Sequence, residues 1–165
     1  MQGIMFNDRL GLESAVLNGI KSRTWRDDKQ PRYKVGEIVA IKQCYRDVSN
    51  FFRSQENRKY LDYIALYSGQ AGWGNKMFVK NELMPHQIRI TSVKKCRLQD
   101  LTDEECIKEG VRKGSVYGYL CGKGKTQRKF LTPTEAFSYL IEKLNGRGYW
   151  ESNPDGYAYD FELVK

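Results

Sequence analysis

The most regular hydrophobic pattern in the chain predicts an α-helix from Pro133 to Asn145. Apolar residues recur there at intervals of three and four, Thr132 is a typical N-cap, and Glu135 completes a capping box. Similar signals at the ends predict two shorter helices, over Asp103–Glu109 and Leu10–Asn18.

Strands are predicted between these helices. The run of β-branched and apolar residues over Glu37–Cys44 predicts one strand, and partly alternating patterns predict two more, over Ile88–Arg97 and Tyr157–Val164. Met77–Val79 is a fourth and shorter candidate. Because the helices and strands do not repeat as βαβ units, the expected class is α+β with a small mixed sheet or barrel.

The length of the chain is typical of one domain, and the sequence contains no internal repeat and no proline-rich linker. We therefore predict a single domain over residues 1–165. Within that domain, residues 47–60 are rich in Asn, Arg, Ser and Gln and predict a surface insertion or loop. Residues 112–130 combine several glycines with basic residues and predict a loop or hairpin.

The composition of the chain argues against several classes of protein. Aromatic residues make up 13% of the chain, which argues against disorder, and no apolar run is long enough for a membrane helix. No leader pattern is visible at Met1, so we expect a cytoplasmic protein without a membrane partner. The four cysteines lack metal-ligand spacing and lie far from the single histidine, so we expect buried thiols, no metal and no cofactor. The oligomeric state stays open, and a monomer is compatible with the sequence.

The positive charge is concentrated in one segment. The chain has 28 basic and 20 acidic residues, and between Arg112 and Lys129 there is no acidic residue. A basic segment with interleaved glycines and tyrosines can follow a phosphate backbone and offer rings for base stacking. The alternative is a solvated hairpin whose charges only keep the protein soluble. We therefore predict contact with RNA or a nucleotide, in which this segment contributes Lys123, Lys125, Arg128 and Lys129.

Four segments carry a resemblance to a known family. The first reads Gly-Ile-Lys-Ser-Arg-Thr-Trp-Arg over Gly19–Arg26, and the others are Leu98–Gly110, Phe137–Leu144 and Trp150–Leu163. In this order they resemble the ASCH domain family, relatives of PUA-fold RNA-binding domains, and Trp73–His86 resembles larger bacterial and phage members. The resemblance implies a PUA-like small mixed β-barrel flanked by short helices. One departure is the Asp-Gly pair after Pro154, where the family commonly has an aromatic and then an aliphatic residue.

The resemblance also implies candidate chemistry. Some ASCH proteins are amidohydrolases that deacetylate N-acetylcytidine, and another is a ribonuclease. The catalytic lysine, threonine and glutamate of the amidohydrolases fall on Lys21, Thr24 and Glu109. A threonine hydroxyl needs a base, and a lysine can serve only if burial or neighbouring cations such as Arg23 and Arg26 lower its pKa. Positions 21 and 24 would face opposite sides of a strand, so the site requires a bend between them.

Three functions remain open at this point. The leading one is an RNA-binding or nucleotide-binding domain whose basic cleft is built from Lys21, Arg23, Thr24, Arg26 and Glu109. The second is a metal-free amidohydrolase that deacylates N-acylated cytidine-type nucleosides. The third is a protein-interaction module with an exposed apolar patch at residues 73–78. Trp73, between two glycines, is the predicted stacking residue, and Lys76 and His86 could supply nearby phosphate or base contacts.

Overall fold

The computed structural model describes residues 1–164, and it confirms the α+β class. It contains six α-helices and eight strands in two sheets, of five and three strands, and neither sheet closes into a barrel over residues 1–164. The chain divides into two compact units. The first contains residues 1–6, 38–88 and 164, and the second contains residues 7–37 and 89–163.

The first unit combines a parallel strand pair with two helices. Strand β1 (Gln2–Ile4) pairs with β3 (Ile38–Ile41), and Gly3 lies opposite Ala40. Helices α2 (Tyr45–Ser54) and α3 (Lys59–Tyr67) follow. Their core is a cluster of buried side chains from both helices, β3 and a later loop, which comprises Ala40, Tyr45, Val48, Tyr63, Val79 and Met84.

Two predictions differ from the structure in this unit. Residues 47–60, expected as an insertion or loop, are mostly helical, because Tyr45, Val48 and Phe52 recur at helical spacing and face the core cluster. The strand predicted over Met77–Val79 is wrong. Lys76–Phe78 form a 3₁₀ helix instead, and the side chain of Asn75 caps it by accepting a hydrogen bond from the Met77 N–H at 2.9 Å.

The second unit contains an antiparallel sheet region with helices from both ends of the chain. Strand β2 (Arg23–Arg26) pairs with β8 (Asp155–Leu163), and β8 lies between β2 and β4 (Gln87–Arg97), which begins in the first unit. The helices are α1 (Leu12–Leu17), α4 (Asp103–Lys108), α5 (Pro133–Asn145) and α6 (Tyr149–Ser152). The predicted helix over Pro133–Asn145 is confirmed at both ends, with the capping box of Thr132 and Glu135 in place.

The basic segment forms a small sheet of its own. Strands β5 (Arg112–Lys113), β6 (Tyr119–Cys121) and β7 (Arg128–Phe130) are antiparallel, with β6 in the middle. Leu120 pairs with Arg112 on one side and with Lys129 on the other. Of the two forms that the sequence left open for residues 112–130, the chain adopts hairpins.

The cysteines and helices bear on the remaining structural predictions. All four cysteines are buried and free, as expected from their spacing. Residues 1–164 contain no group of three or more histidine, cysteine or acidic side chains that could hold a metal ion. Among the helices of the described chain, none has the length and apolar content that crossing a membrane requires.

Candidate functional site

The site is organised by the open edge of β2, the last strand of its sheet. Ser22 O accepts a hydrogen bond from the Phe161 N–H at 2.9 Å, so residues 22, 24 and 26 direct their backbone groups towards β8. The backbone groups of Arg23 and Trp25 therefore point away from β8. The end of α4 reaches this region, since the Ser22 N–H donates to Lys108 O at 2.9 Å.

A buried ion pair between Lys21 and Glu109 occupies this edge. Lys21 Nζ donates to Glu109 Oε2 at 2.7 Å, to Glu109 O at 2.8 Å and to Arg23 O at 2.6 Å. These contacts match the three N–H bonds of an ammonium group. The side chains are only 3% and 4% exposed, and Gly110, at a φ of 104°, turns the chain directly after Glu109. The ion pair thus provides hydrogen bonds to backbone groups at the edge of β2, where no further strand pairs with them.

Burial shifts the pKa values of the pair in opposite directions. Burial lowers the pKa of the Lys21 ammonium, Glu109 opposes this shift, and Arg26 adds to it. Burial raises the pKa of the Glu109 carboxyl, against the effects of Lys21 and of the Trp25 N–H. The two pKa values therefore approach each other, which makes proton transfer across the 2.7 Å contact easier than between an exposed lysine and glutamate.

Two oxygen atoms of the predicted catalytic set keep hydrogen-bonding capacity. Glu109 Oε1 is buried and has no hydrogen-bond partner within residues 1–164, although the Trp25 N–H is near enough to lower the pKa of the carboxyl. Thr24 is 6% exposed, and its hydroxyl makes no hydrogen bond in the described part of the chain, to Lys21 and Glu109 or to any other residue. The structure therefore joins two of the three predicted catalytic residues, and it leaves the hydroxyl of the third unengaged.

Arg23 is held by two carboxylates that the sequence analysis missed. Its guanidinium forms two hydrogen bonds with Asp160, at 2.6 and 2.9 Å, and an ion pair with Glu105 at 2.6 Å. Burial alone would lower the pKa of Arg23. The contacts with the two carboxylates have the larger effect, so the pKa is raised. The sequence predicts Arg23 as a ligand contact, and in the structure its guanidinium joins β2 to β8 through Asp160 and to α4 through Glu105. Arg26 is half-buried.

Trp73, Lys76 and His86 belong to the first unit, whereas the other predicted site residues belong to the second. Trp73 is half-buried and packs against the core cluster, and its carbonyl accepts a hydrogen bond from the Arg46 N–H at 3.1 Å. Part of the indole is therefore covered by side chains of its own unit. Lys76 Nζ donates to Phe6 O at 2.7 Å.

The sheet β5–β7 gathers the basic residues that the sequence singled out. Lys123, Lys125, Arg128 and Lys129 are exposed, and within residues 1–164 no cation of this sheet forms an ion pair. Lys129 Nζ lies 3.7 Å from the centre of the Tyr117 ring, which is 66% exposed. The sheet therefore presents positive charge next to an aromatic face without internal neutralisation.

Comparison with other proteins adds no family to this description. Models of protein families, curated proteins and solved structures give no match to the chain. The function of the candidate site is therefore inferred from its geometry and its charges.

Proposed function

We propose that this chain is an ASCH/PUA-like domain that binds RNA or a modified nucleotide through its basic surface. The observation that carries the proposal is the unneutralised charge of the β5–β7 sheet, whose exposed cations make no ion pair within the described chain. Phosphate groups would supply the missing negative charge and release bound counterions. The cleft around Lys21 is part of the same proposal.

The contact between Tyr117 and Lys129 supports nucleic acid over a general anion. An exposed tyrosine ring can stack on a base, and an ammonium group over that ring can pair with the adjoining phosphate. A protein surface that only needed solubility would not require an aromatic side chain in this position. The two features together match a single-stranded ligand, whose bases are accessible.

The test is binding of a labelled single-stranded RNA, followed by fluorescence anisotropy at several salt concentrations. Lys125→Gln and Lys129→Gln should each weaken binding and lower the slope of log affinity against log salt by about 0.7 to 1. Lys34→Gln is the matched control, because Lys34 is an exposed lysine of the same unit outside the sheet. Absence of binding, or equal losses in all three variants, would contradict the proposal.

A second candidate function is hydrolysis of an N-acylated cytidine-type nucleoside, favoured by the buried contact between Lys21 and Glu109. In this mechanism Lys21 passes a proton to Glu109 and then accepts the hydroxyl proton of Thr24, whose oxygen attacks the amide carbon. Glu109 protonates the departing amine. Water then hydrolyses the ester between the acyl group and Thr24, which releases the acid. Lys21 and Glu109 relay the proton of the attacking water to the Thr24 oxygen.

This mechanism is tested by incubation with N-acetylcytidine and chromatography of the products. Thr24→Val keeps the shape of the buried side chain and removes the hydroxyl, so it should abolish turnover while circular dichroism shows an unchanged fold. Thr24→Ser restores a hydroxyl and should retain part of the activity. If Thr24→Val hydrolyses the substrate at the rate of the unmodified protein, Thr24 is not the nucleophile.

A further inference from the structure

The first unit contains a cavity of about 550 Å³ that neither proposed function uses. It lies between helices α2 and α3 and the segment that precedes β4. Its volume falls within the range of roughly 300 to 1,000 Å³ that is typical of small-molecule sites. Residues from α2, α3 and the following segment form its walls, and all of them belong to this unit.

Aromatic rings form most of one wall. Phe51, Phe52 and Tyr63 line the cavity, and the rings of Phe52 and Tyr63 lie 5.5 Å apart. The Tyr63 hydroxyl donates to Leu83 O at 2.6 Å, which satisfies the phenol and fixes its ring. A flat ring of a ligand would therefore meet rigid apolar faces and edges, the arrangement that aromatic groups prefer.

The one histidine of the chain supplies a directed hydrogen-bond acceptor. His86 Nδ1 lies 2.6 Å from Oε1 of Gln43, a buried residue that is 5% exposed. Because an amide oxygen only accepts, the proton sits on Nδ1, and Nε2 of the neutral ring is left as an acceptor. Burial lowers the pKa of His86, which favours this neutral form, and the edge-on Phe51 ring at 4.6 Å restrains the imidazole.

The rim of the cavity has one uncompensated charge. Lys59 is exposed and forms no ion pair within residues 1–164, and its Nζ lies 5.7 Å from the centre of the Phe52 ring. Glu82, the acidic residue on the rim, is exposed and forms no ion pair with Lys59 within residues 1–164. Lys59 is therefore available to an acidic group at the mouth of the cavity.

We propose that this cavity binds a flat, aromatic small-molecule anion. Its ring packs against Phe51, Phe52 and Tyr63. An N–H or O–H group next to the ring donates to His86 Nε2, and the acidic group pairs with Lys59. The three features select the same ligand class independently, since an aliphatic acid would not fill the aromatic wall and a neutral aromatic compound would leave Lys59 unused.

The experiment uses two dyes that differ by one charged group. 8-Anilinonaphthalene-1-sulfonate has fused rings, an N–H group and a sulfonate, and N-phenyl-1-naphthylamine lacks the sulfonate. Both should bind saturably by fluorescence. Lys59→Gln should lower the affinity for the sulfonate dye about threefold to fivefold, as expected for a partly exposed ion pair. The affinity for the neutral dye should not change. Lys80→Gln, at another exposed lysine of this unit, should change neither.

The location of the bound dye is read from His86. The chain contains one histidine, so the Hε1 proton of its ring gives one NMR signal that needs no assignment to a residue. That signal should shift with the same dissociation constant as the fluorescence. An unmoved signal, absence of saturable binding, or equal weakening of both dyes by Lys59→Gln would overturn the proposal. A signal that shifts with protein concentration alone would overturn it in favour of a second copy of the chain.

Discussion

Two sets of cations in the second unit differ in how their charge is compensated. Lys21 and Arg23 are buried, and each has a carboxylate oxygen within 2.7 Å. The cations of the β5–β7 sheet other than the half-buried Arg112 are exposed, and none of them has an ionic partner in the described residues. Moving a charge out of water without a partner has a desolvation penalty of several kcal/mol, whereas an exposed charge is stabilised by solvent.

The difference separates two roles for positive charge in one unit. The buried cations fix geometry, because each one joins elements that are distant in sequence, and their contacts are little affected by salt. The exposed cations are available as a group to an anionic ligand, and salt screens them over about 8 to 10 Å. The first set should therefore control stability and the second set binding.

The largest effect is expected from Glu109→Gln, which removes the counter-charge of Lys21. An ammonium group that is 3% exposed would then be left uncompensated, and we expect the free energy of unfolding to fall by about 3 to 5 kcal/mol. Urea unfolding followed by circular dichroism measures the change.

The matched variant removes both charges. Lys21→Met combined with Glu109→Leu should recover most of the lost stability, because apolar side chains of similar size fill the same space without desolvation. A double variant as unstable as Glu109→Gln would show that the hydrogen bonds to the edge of β2, rather than the charge balance, stabilise this region.

A smaller loss is expected from Asp160→Asn. Arg23 would lose one charged partner and keep Glu105, so the free energy of unfolding should fall by about 1.5 to 3 kcal/mol. Asp155→Asn is the control on the same strand, because Asp155 pairs with Arg97 at 3.6 Å and both side chains are mostly exposed. The free energy of unfolding of Asp155→Asn should differ from that of the unmodified protein by no more than about 0.5 kcal/mol. Equal losses in the two variants would contradict the contrast between buried and exposed charges.

The parts of the fold that the sequence predicted well have local signals. The helix over Pro133–Asn145 carries its cap, its helical spacing and its terminating glycine within a short window, so no tertiary information was needed. Strand β2 was missed because its Arg-Thr-Trp-Arg sequence has no apolar alternation, and it is stabilised by pairing with β8, more than 120 residues later. Helix α2 was missed because polar residues dominate its solvent-facing side.

The candidate site was predictable as a set of residues and not as an arrangement. The resemblance to ASCH proteins selected Lys21 and Glu109, which the structure joins across 88 positions. No spacing rule supplies that contact, because it depends on the edge of β2 meeting the end of α4. The partners of Arg23 had a weaker signal, since acidic residues alternate with aromatic ones along β8, but choosing Asp160 required the register of β2 with β8.

Neutralising the exposed cations should change binding and hardly change stability. Lys113→Gln and Lys125→Gln remove charges that have no partner in the described chain, so the free energy of unfolding should move by less than about 0.5 kcal/mol. The salt dependence of RNA binding should fall with each substitution. Unfolding and anisotropy measured on the same samples provide the comparison. A marked loss of stability would mean that these lysines have structural partners.

The last prediction is a dependence of stability on pH that originates at Glu105. Burial raises the pKa of this carboxyl, but the Thr102 N–H and Arg23 outweigh burial and lower it from 4.5 to about 2. Because the pKa is lower in the folded state, the stabilisation is complete above pH 4.5 and is lost as the pH falls from 4.5 towards 2. Unfolding in urea between about pH 5 and pH 3 should show this loss.

Glu105→Gln should remove that part of the pH dependence, whereas Glu104→Gln, at an exposed residue one position earlier, should retain it. If both variants keep the full dependence, another carboxylate is responsible, and the ion pair of Glu105 with Arg23 contributes less than its 2.6 Å geometry indicates.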